Sequence, residues 1–256
     1  MFNLPNILTA CNLLSGMIAI VFAFAGRLEW ASLCLFIAMA FDFMDGLVAR
    51  LLGLGSSMGK DLDSLADMVS FGVAPGILMF VTLSLRLHGD MHTVFRAFAQ
   101  MHFQEPEDWL LISPMCIPFF SLFRLAKFNN DARQKTEFIG LPTPANTLFF
   151  LFFPLMWWHL GYQDQGVKGE VTTWFLHPWV LAGTCAVVPL LLISEFPLIS
   201  LKMKGFGARE NAMQYLLLGL SLITILWIQI YAIPIIVILY LVCSMIQHNL
   251  FKRNEI

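Results

Sequence analysis

Apolar stretches of about twenty residues recur along this chain, near 5–25, 29–52, 61–86, 109–128, 144–161, 176–196, 212–230 and 232–250. At ~1.5 Å per residue, each can cross a ~30 Å hydrocarbon layer as a helix. A backbone in lipid must satisfy its own hydrogen bonds, so the pattern predicts an all-α polytopic membrane protein of about eight transmembrane helices. A soluble core of 256 residues could not hide a composition that is 58% hydrophobic with 24 Phe. The chain reads as one integral membrane domain, 1–256, with no soluble domain left over. No basic residue precedes the first stretch and no cleavage pattern follows it, so it reads as a retained span rather than a signal peptide.

Basic residues orient the bundle. With eight spans and both termini cytoplasmic, the cytoplasmic loops and tail hold Arg50, Lys60, Arg124, Lys127, Arg133, Lys135, Lys202, Lys204, Arg209, Lys252 and Arg253, eleven of the fifteen Lys and Arg. Arg27, Arg86, Arg96 and Lys168 remain on the other side. The five cysteines all sit in apolar runs without a CxxC pair and read as packing residues. His88 and His92 stand four apart in the polar stretch 88–108, without a third metal ligand at matching spacing. A net charge of −2 and the absence of a basic patch interleaved with aromatics exclude a nucleic-acid partner.

Against this background, Phe41–Asp67 carries five carboxylates in a chain only 12% charged. An Asp near the middle of a spanning helix costs about 2.5–3.5 kcal/mol on the insertion scale, so four cost roughly 10–14 kcal/mol before compensation. At about 100° per residue, Asp42, Asp45, Gly46 and Ala49 share one face of the second span. Gly59, Asp63, Asp67 and Ser70 share one face of the third, provided the helical phase is unbroken, whereas Asp61 points the opposite way as an acid at the helix N-terminus. The short linker makes the two helices antiparallel neighbours, so four carboxylates are expected to converge. Oxygen ligands at this density suit hard divalent cations, Mg²⁺, Mn²⁺ or Ca²⁺, and a pair of ions could hold the attacking and leaving oxygens of a phosphorus centre. Two further readings are ion pairing with Arg50 and Lys60 within close helix packing, and a transporter whose acids relay a cation or proton.

The string Asp42-x₂-Asp45-Gly46-x₂-Ala49-Arg50-x₈-Gly59-x₃-Asp63-x₃-Asp67 resembles, without a departure, the signature of the CDP-alcohol phosphotransferases. That resemblance implies a membrane enzyme that uses a CDP-linked substrate with Mg²⁺ or Mn²⁺, two ions by the same likeness, and releases CMP. It implies Asp42, Asp45 and Asp63 as metal ligands and Asp67 as metal ligand or general base. Gly46, Ala49, Arg50 and Gly59, with Asp45 beside them, would accommodate the cytidine diphosphate portion. Outside the signature, "PNILTACNLLSG", "SFGVAPG", "FRLAKFN" and "GLPTPAN" look like the phosphatidylserine-forming bacterial and archaeal branch of this family. The expected substrates are therefore CDP-diacylglycerol and L-serine within membrane lipid, and a homodimer is admitted. The alternatives are phosphatidylglycerophosphate or phosphatidylinositol phosphate synthesis. The family's six-helix core would cover about 1–196, leaving 197–256 as an additional helix pair. The resemblance implies an integral protein of the cytoplasmic membrane with its site near the cytoplasmic face.

Three further groups bear on that site. Thr9 and Asn12 lie on one face of the first span and could reach the nucleotide or hydrogen-bond between helices. Arg124 and Lys127, three apart near the cytoplasmic end of the fourth span, could hold serine's carboxylate or a phosphate, or anchor the helix to lipid headgroups. Serine's hydroxyl needs a carboxylate to take its proton, and the expected base is Asp67.

Overall fold

The computed structural model describes residues 3–89, 105–131, 138–162, 173–195, 197–198 and 212–254. His92, most of the polar stretch 88–108, and Arg96, Arg133, Lys135, Lys168, Lys202, Lys204 and Arg209 lie outside the described residues. Asn3 caps the first helix, α1 (Leu4–Phe24), its side chain accepting from the Asn6 amide at 3.1 Å, with Pro5 inside the first turn where no N–H is needed. A tight turn leads to α2 (Leu28–Leu52), which ends at Gly53 in the left-handed conformation, φ 63°. Ser56 then caps α3 (Ser57–Asp67), accepting from the Gly59 amide at 3.0 Å.

A π-helical turn, Met68–Val73, joins α3 to α4 (Ala74–His88) without a break in direction. Pro75 explains part of this widening: it has no N–H to offer the carbonyl of Phe71. The Thr147 hydroxyl of a neighbouring helix lies 3.1 Å from that carbonyl and 3.0 Å from its own Thr143 carbonyl, so its one proton is divided between the two. α1 crosses the π turn at Gly16, where a Cβ would lie 2.7 Å from the Ser70 Cα. Only glycine permits that approach.

The remaining elements are a 3₁₀ helix (Pro106–Met115), α5 (Cys116–Asn130), α6 (Thr143–Tyr162), α7 (Pro178–Val187), a single turn α8 (Leu190–Ile193), α9 (Ala212–Ile228) and α10 (Ala232–Asn254). Phe138–Ile139 pairs antiparallel with Pro197–Leu198, and apart from this short pairing the described architecture is helical.

Five stretches are long and apolar enough to cross a membrane: Leu4–Phe24, Leu28–Leu52, Ser57–His88, Pro106–Asn130 and Met213–Ile246. The last is divided by the 3₁₀ turn Gln229–Tyr231, with Gln229 at φ 51°, into the two packed helices α9 and α10. With α6 and the shorter apolar run Pro178–Ile193, each of the eight expected stretches corresponds to a helical segment. The protein is an all-α polytopic membrane protein.

Two apolar cores hold the bundle. One joins α1, α2 and α4 through Ala19, Leu28, Ala31, Leu35, Leu78 and Val81. The other joins α4, α5, α6 and α7 through Met79, Leu83, Ile117, Phe150, Phe153 and Leu181. The α9–α10 pair is seated on this core by a third cluster in which Leu217, Val237 and Tyr240 meet Leu141, Leu192 and Leu198. Outward faces carry Val21, Leu51, Phe119 and Leu226, as lipid contact requires. The exposed Trp30, Trp109, Trp158, Trp174, Trp179 and Trp227 all stand at the end of the bundle remote from Asp42, where indole rings sit well at a headgroup layer. All five cysteines are free.

Candidate active site

Three helices build the site at the other end. Asp42 and Asp45 project from α2 one turn apart, Asp63 and Asp67 project from α3 one turn apart, and α1 packs against both. Asp42, Asp63 and Asp67 each offer an oxygen, and these oxygens all lie within 4.8 Å of one another. Asp67 is buried and Asp42 and Asp63 are partly buried. At that separation two ionised carboxylates repel by roughly 3.5 kcal/mol even at an effective dielectric constant of about 20. Among the described residues, none of the four acids is ion-paired to a Lys or Arg; Arg27 pairs with Glu29 and Lys127 with Glu195. Pairing with Arg50 and Lys60 is therefore not how this charge is balanced. The donor set, carboxylate oxygens alone, fits hard divalent cations such as Mg²⁺ or Mn²⁺.

Asp45 stands outside the three acids whose oxygens lie within 4.8 Å of one another and carries a hydrogen bond of its own. It is 5% exposed, and its Oδ2 accepts from the Thr9 hydroxyl at 2.5 Å. Thr9 also lies 3.1 Å from the Pro5 carbonyl, but its single proton goes to the shorter contact. Asn12, fully buried, donates from Nδ2 to Asp67 Oδ1 at 3.1 Å. Thr9 and Asn12 thus position carboxylates across the helix interface, the second of the two roles open to them.

Ser70 follows Asp67 within the π turn that begins at Met68, and both side chains turn toward Asn12 of α1. Ser70 donates to the Asn12 backbone carbonyl at 3.0 Å, fully buried beneath α1. Asp61 is exposed, as expected.

The residues expected around the nucleotide stand beside the acids. Arg50 Nη1 lies 3.6 Å from where a Gly46 Cβ would be, so the guanidinium folds back one turn over the bare backbone. Gly59 faces Asn6, whose Oδ1 would lie 3.4 Å from an added Cβ. Ala49 is partly buried on the same stretch of α2.

Arg124 and Lys127 separate in role. Arg124 is 3% exposed, its Nε donating to the Leu141 carbonyl at 3.2 Å and its guanidinium 5.0 Å from the centre of the Phe128 ring. Such burial is incompatible with a lipid-headgroup anchor. Lys127 lies toward the surface, 3.5 Å from Glu195. Asn129 ties this end of α5 to α3, donating to Ser64 Oγ at 2.8 Å. Asn146, Ser121 and Thr147 are buried polar residues that no spacing rule singles out, although Asn146 ends the string GLPTPAN.

Fold and site together define an integral membrane protein with a carboxylate cluster able to hold divalent cations among its helices. The chain belongs to the CDP-alcohol phosphatidyltransferase family, whose profile it matches over residues 2–188. It is 32% identical over 211 residues to a CDP-diacylglycerol–serine O-phosphatidyltransferase of Mycobacterium leprae, covering 76% of this chain and 57% of that protein. To the protein of the same name from Bacillus subtilis it is 33% identical over 144 residues, covering 55% of this chain and 69% of the relative. An archaetidylserine synthase of Methanothermobacter thermautotrophicus is 32% identical over 144 residues, covering 56% and 53%. The chain spans only 57–60% of the length of the mycobacterial relatives it matches.

Proposed function

We propose that this protein transfers the phosphatidyl group of CDP-diacylglycerol to the hydroxyl of L-serine, giving phosphatidylserine and CMP. The observation that carries the reading is the cluster of Asp42, Asp63 and Asp67, buried or partly buried within 4.8 Å and without a basic partner among the described residues. The names of the relatives support serine as acceptor.

In this reading Asp42, Asp45, Asp63 and Asp67 hold Mg²⁺ or Mn²⁺, which when bound offsets charge on the pyrophosphate and on departing CMP. Gly46, Ala49, Arg50 and Gly59 receive the cytidine diphosphate portion. Serine's oxygen forms a bond to the lipid-side phosphorus, the bond from that phosphorus to the bridging oxygen breaks, and CMP leaves with the electron pair. Asp67 takes the hydroxyl proton, and its Asn12 hydrogen bond holds one carboxylate oxygen so that the other faces the acceptor. The acyl chains stay in the bilayer throughout. The site lies at the cytoplasmic face of the cytoplasmic membrane, with both termini on that side, because Arg50, Lys60, Arg124 and Lys127 stand at this end and cytoplasmic ends carry the excess of Lys and Arg.

The test is CMP release by the purified protein from CDP-diacylglycerol with serine, glycerol 3-phosphate, inositol, inositol phosphate and choline in parallel. Serine is expected to dominate. Faster release with glycerol 3-phosphate would move the protein to another acceptor, and cation flux in liposomes without CMP release would replace the enzyme by a transporter.

A further inference from the structure

Two buried polar side chains beside the site have no partner. Asn146 is fully buried, yet neither its Oδ1 nor its Nδ2 has a hydrogen-bond partner; Ser121, also fully buried, has none at its Oγ. Unpaired buried polar groups are rare in folded proteins because each forfeits its hydration. In a helix bundle surrounded by lipid, a leucine or alanine would fill the same space at less cost.

These two groups lie at one level of the bundle. Ile117 of α5 and Phe150 and Phe153 of α6 meet in one apolar core. The two helices run in opposite directions, and Ser121 is one turn beyond Ile117 while Asn146 is one turn before Phe150. Both therefore occupy facing positions one turn nearer the carboxylate end. The π turn touches both helices at this height: a Gly72 Cβ would stand 3.2 Å from Ser121 Cβ, and the Phe71 carbonyl lies 3.1 Å from the hydroxyl of Thr147, the neighbour of Asn146. Gly72 follows Asp67 by five residues, about 7 Å along the axis. Arg124, one turn from Ser121 on the same face of α5, is held over this level by the Leu141 carbonyl.

We propose that Asn146 and Ser121 form the seat for the α-ammonium and α-carboxylate of the amino-acid acceptor, with its hydroxyl directed toward Asp67. A primary amide suits a zwitterion, since its oxygen accepts from the ammonium while its nitrogen donates to the carboxylate. Arg124 supplies a cation one turn away on α5. A phosphorylated acceptor, carrying two negative charges and no ammonium, would call for more positive charge, and the next cation on α5, Lys127, is paired with Glu195. The inference rests on the serine reading above and adds the residues that recognise it.

The experiment compares wild type with Asn146→Leu and Ser121→Ala in the purified full-length chain, measuring KM for serine, KM for CDP-diacylglycerol and thermal stability. A site built to pair with polar groups on its ligand discriminates strongly when those pairs are removed, so KM for serine should rise by about tenfold or more in Asn146→Leu. KM for CDP-diacylglycerol should stay within about twofold, and the melting temperature should hold or rise, because an unpaired amide has been replaced by an apolar side chain of similar size. If wild type uses serine and Asn146→Leu keeps its serine KM within about twofold, the seat is overturned while the acceptor assignment stands. Should Asn146→Leu not fold, an unchanged serine KM in Ser121→Ala overturns it equally. A wild type that releases CMP with glycerol 3-phosphate and not with serine overturns both.

Discussion

Asn12 donates its side-chain amide to Asp67 across 55 positions of sequence, at 3.1 Å, while its own backbone carbonyl accepts from Ser70. One residue of α1 therefore fixes both the last acid of α3 and the π turn that follows it. A hydrogen bond to a charged group contributes ~1.5–3 kcal/mol, enough to decide the orientation of a carboxylate that must accept a proton. Replacing Asn12 with Ala should lower kcat about tenfold or more and leave KM for CDP-diacylglycerol nearly unchanged. Steady-state kinetics with both substrates varied would check it, and a variant that lost lipid affinity instead would place Asn12 at the nucleotide.

Chelation should abolish CMP release, and Mg²⁺ or Mn²⁺ should restore it. Asp42→Asn and Asp63→Asn should each lose at least about 10²-fold in turnover, since a carboxylate that binds metal cannot be replaced by a neutral amide. In the metal-free protein the same substitutions should raise the melting temperature, because they remove repulsion among oxygens held within 4.8 Å. Full activity in excess EDTA would remove the metal from the reaction.

Asp67→Asn keeps the shape of the side chain but not its basicity, and turnover should fall about 10²–10⁴-fold. The displacement should invert configuration at phosphorus, since Ser70, the hydroxyl that follows Asp67 toward α1, is committed to the Asn12 carbonyl. Chiral phosphorothioate CDP-diacylglycerol reads this directly: net retention, or exchange of labelled CMP into the donor lipid without serine, would require a covalent intermediate on the protein.

Gly16→Leu should unfold the protein at markedly lower temperature, because even a Cβ there would lie 2.7 Å from Ser70 Cα, and overpacking a tight crossing costs ~1–3 kcal/mol or more. Thr147→Val removes a hydroxyl shared between the Phe71 and Thr143 carbonyls and should cost ~0.5–1.5 kcal/mol. Thermal unfolding in detergent measures both, and a Thr147→Val protein as stable as wild type would show that the π turn needs no outside donor.

Much of this protein is legible in its sequence, because the relevant physics is local. Lengths of apolar chain set the helices, and the periods of three and four put Asp42 beside Asp45 and Asp63 beside Asp67 whatever surrounds them. The π turn escaped that logic: the period widens at Met68, where Pro75 withdraws a donor and Gly16 lets α1 press against the turn. Asp45 carries a hydrogen bond from Thr9, a residue thirty-six positions away, which no local spacing announces.

By itself, the sequence determined the membrane-spanning character of the chain and the identity and spacing of its acids, since hydrophobicity and helical period act within a few residues. Only the tertiary structure decided which acids meet, which are held by α1, and that Arg124 lies buried on the Leu141 carbonyl rather than among headgroups. It also decided that Asn146 and Ser121 face each other's helices unpaired. Those outcomes depend on the crossing of helices that are far apart in the chain, and a crossing is set by close packing, to which every neighbour contributes and which no local pattern encodes.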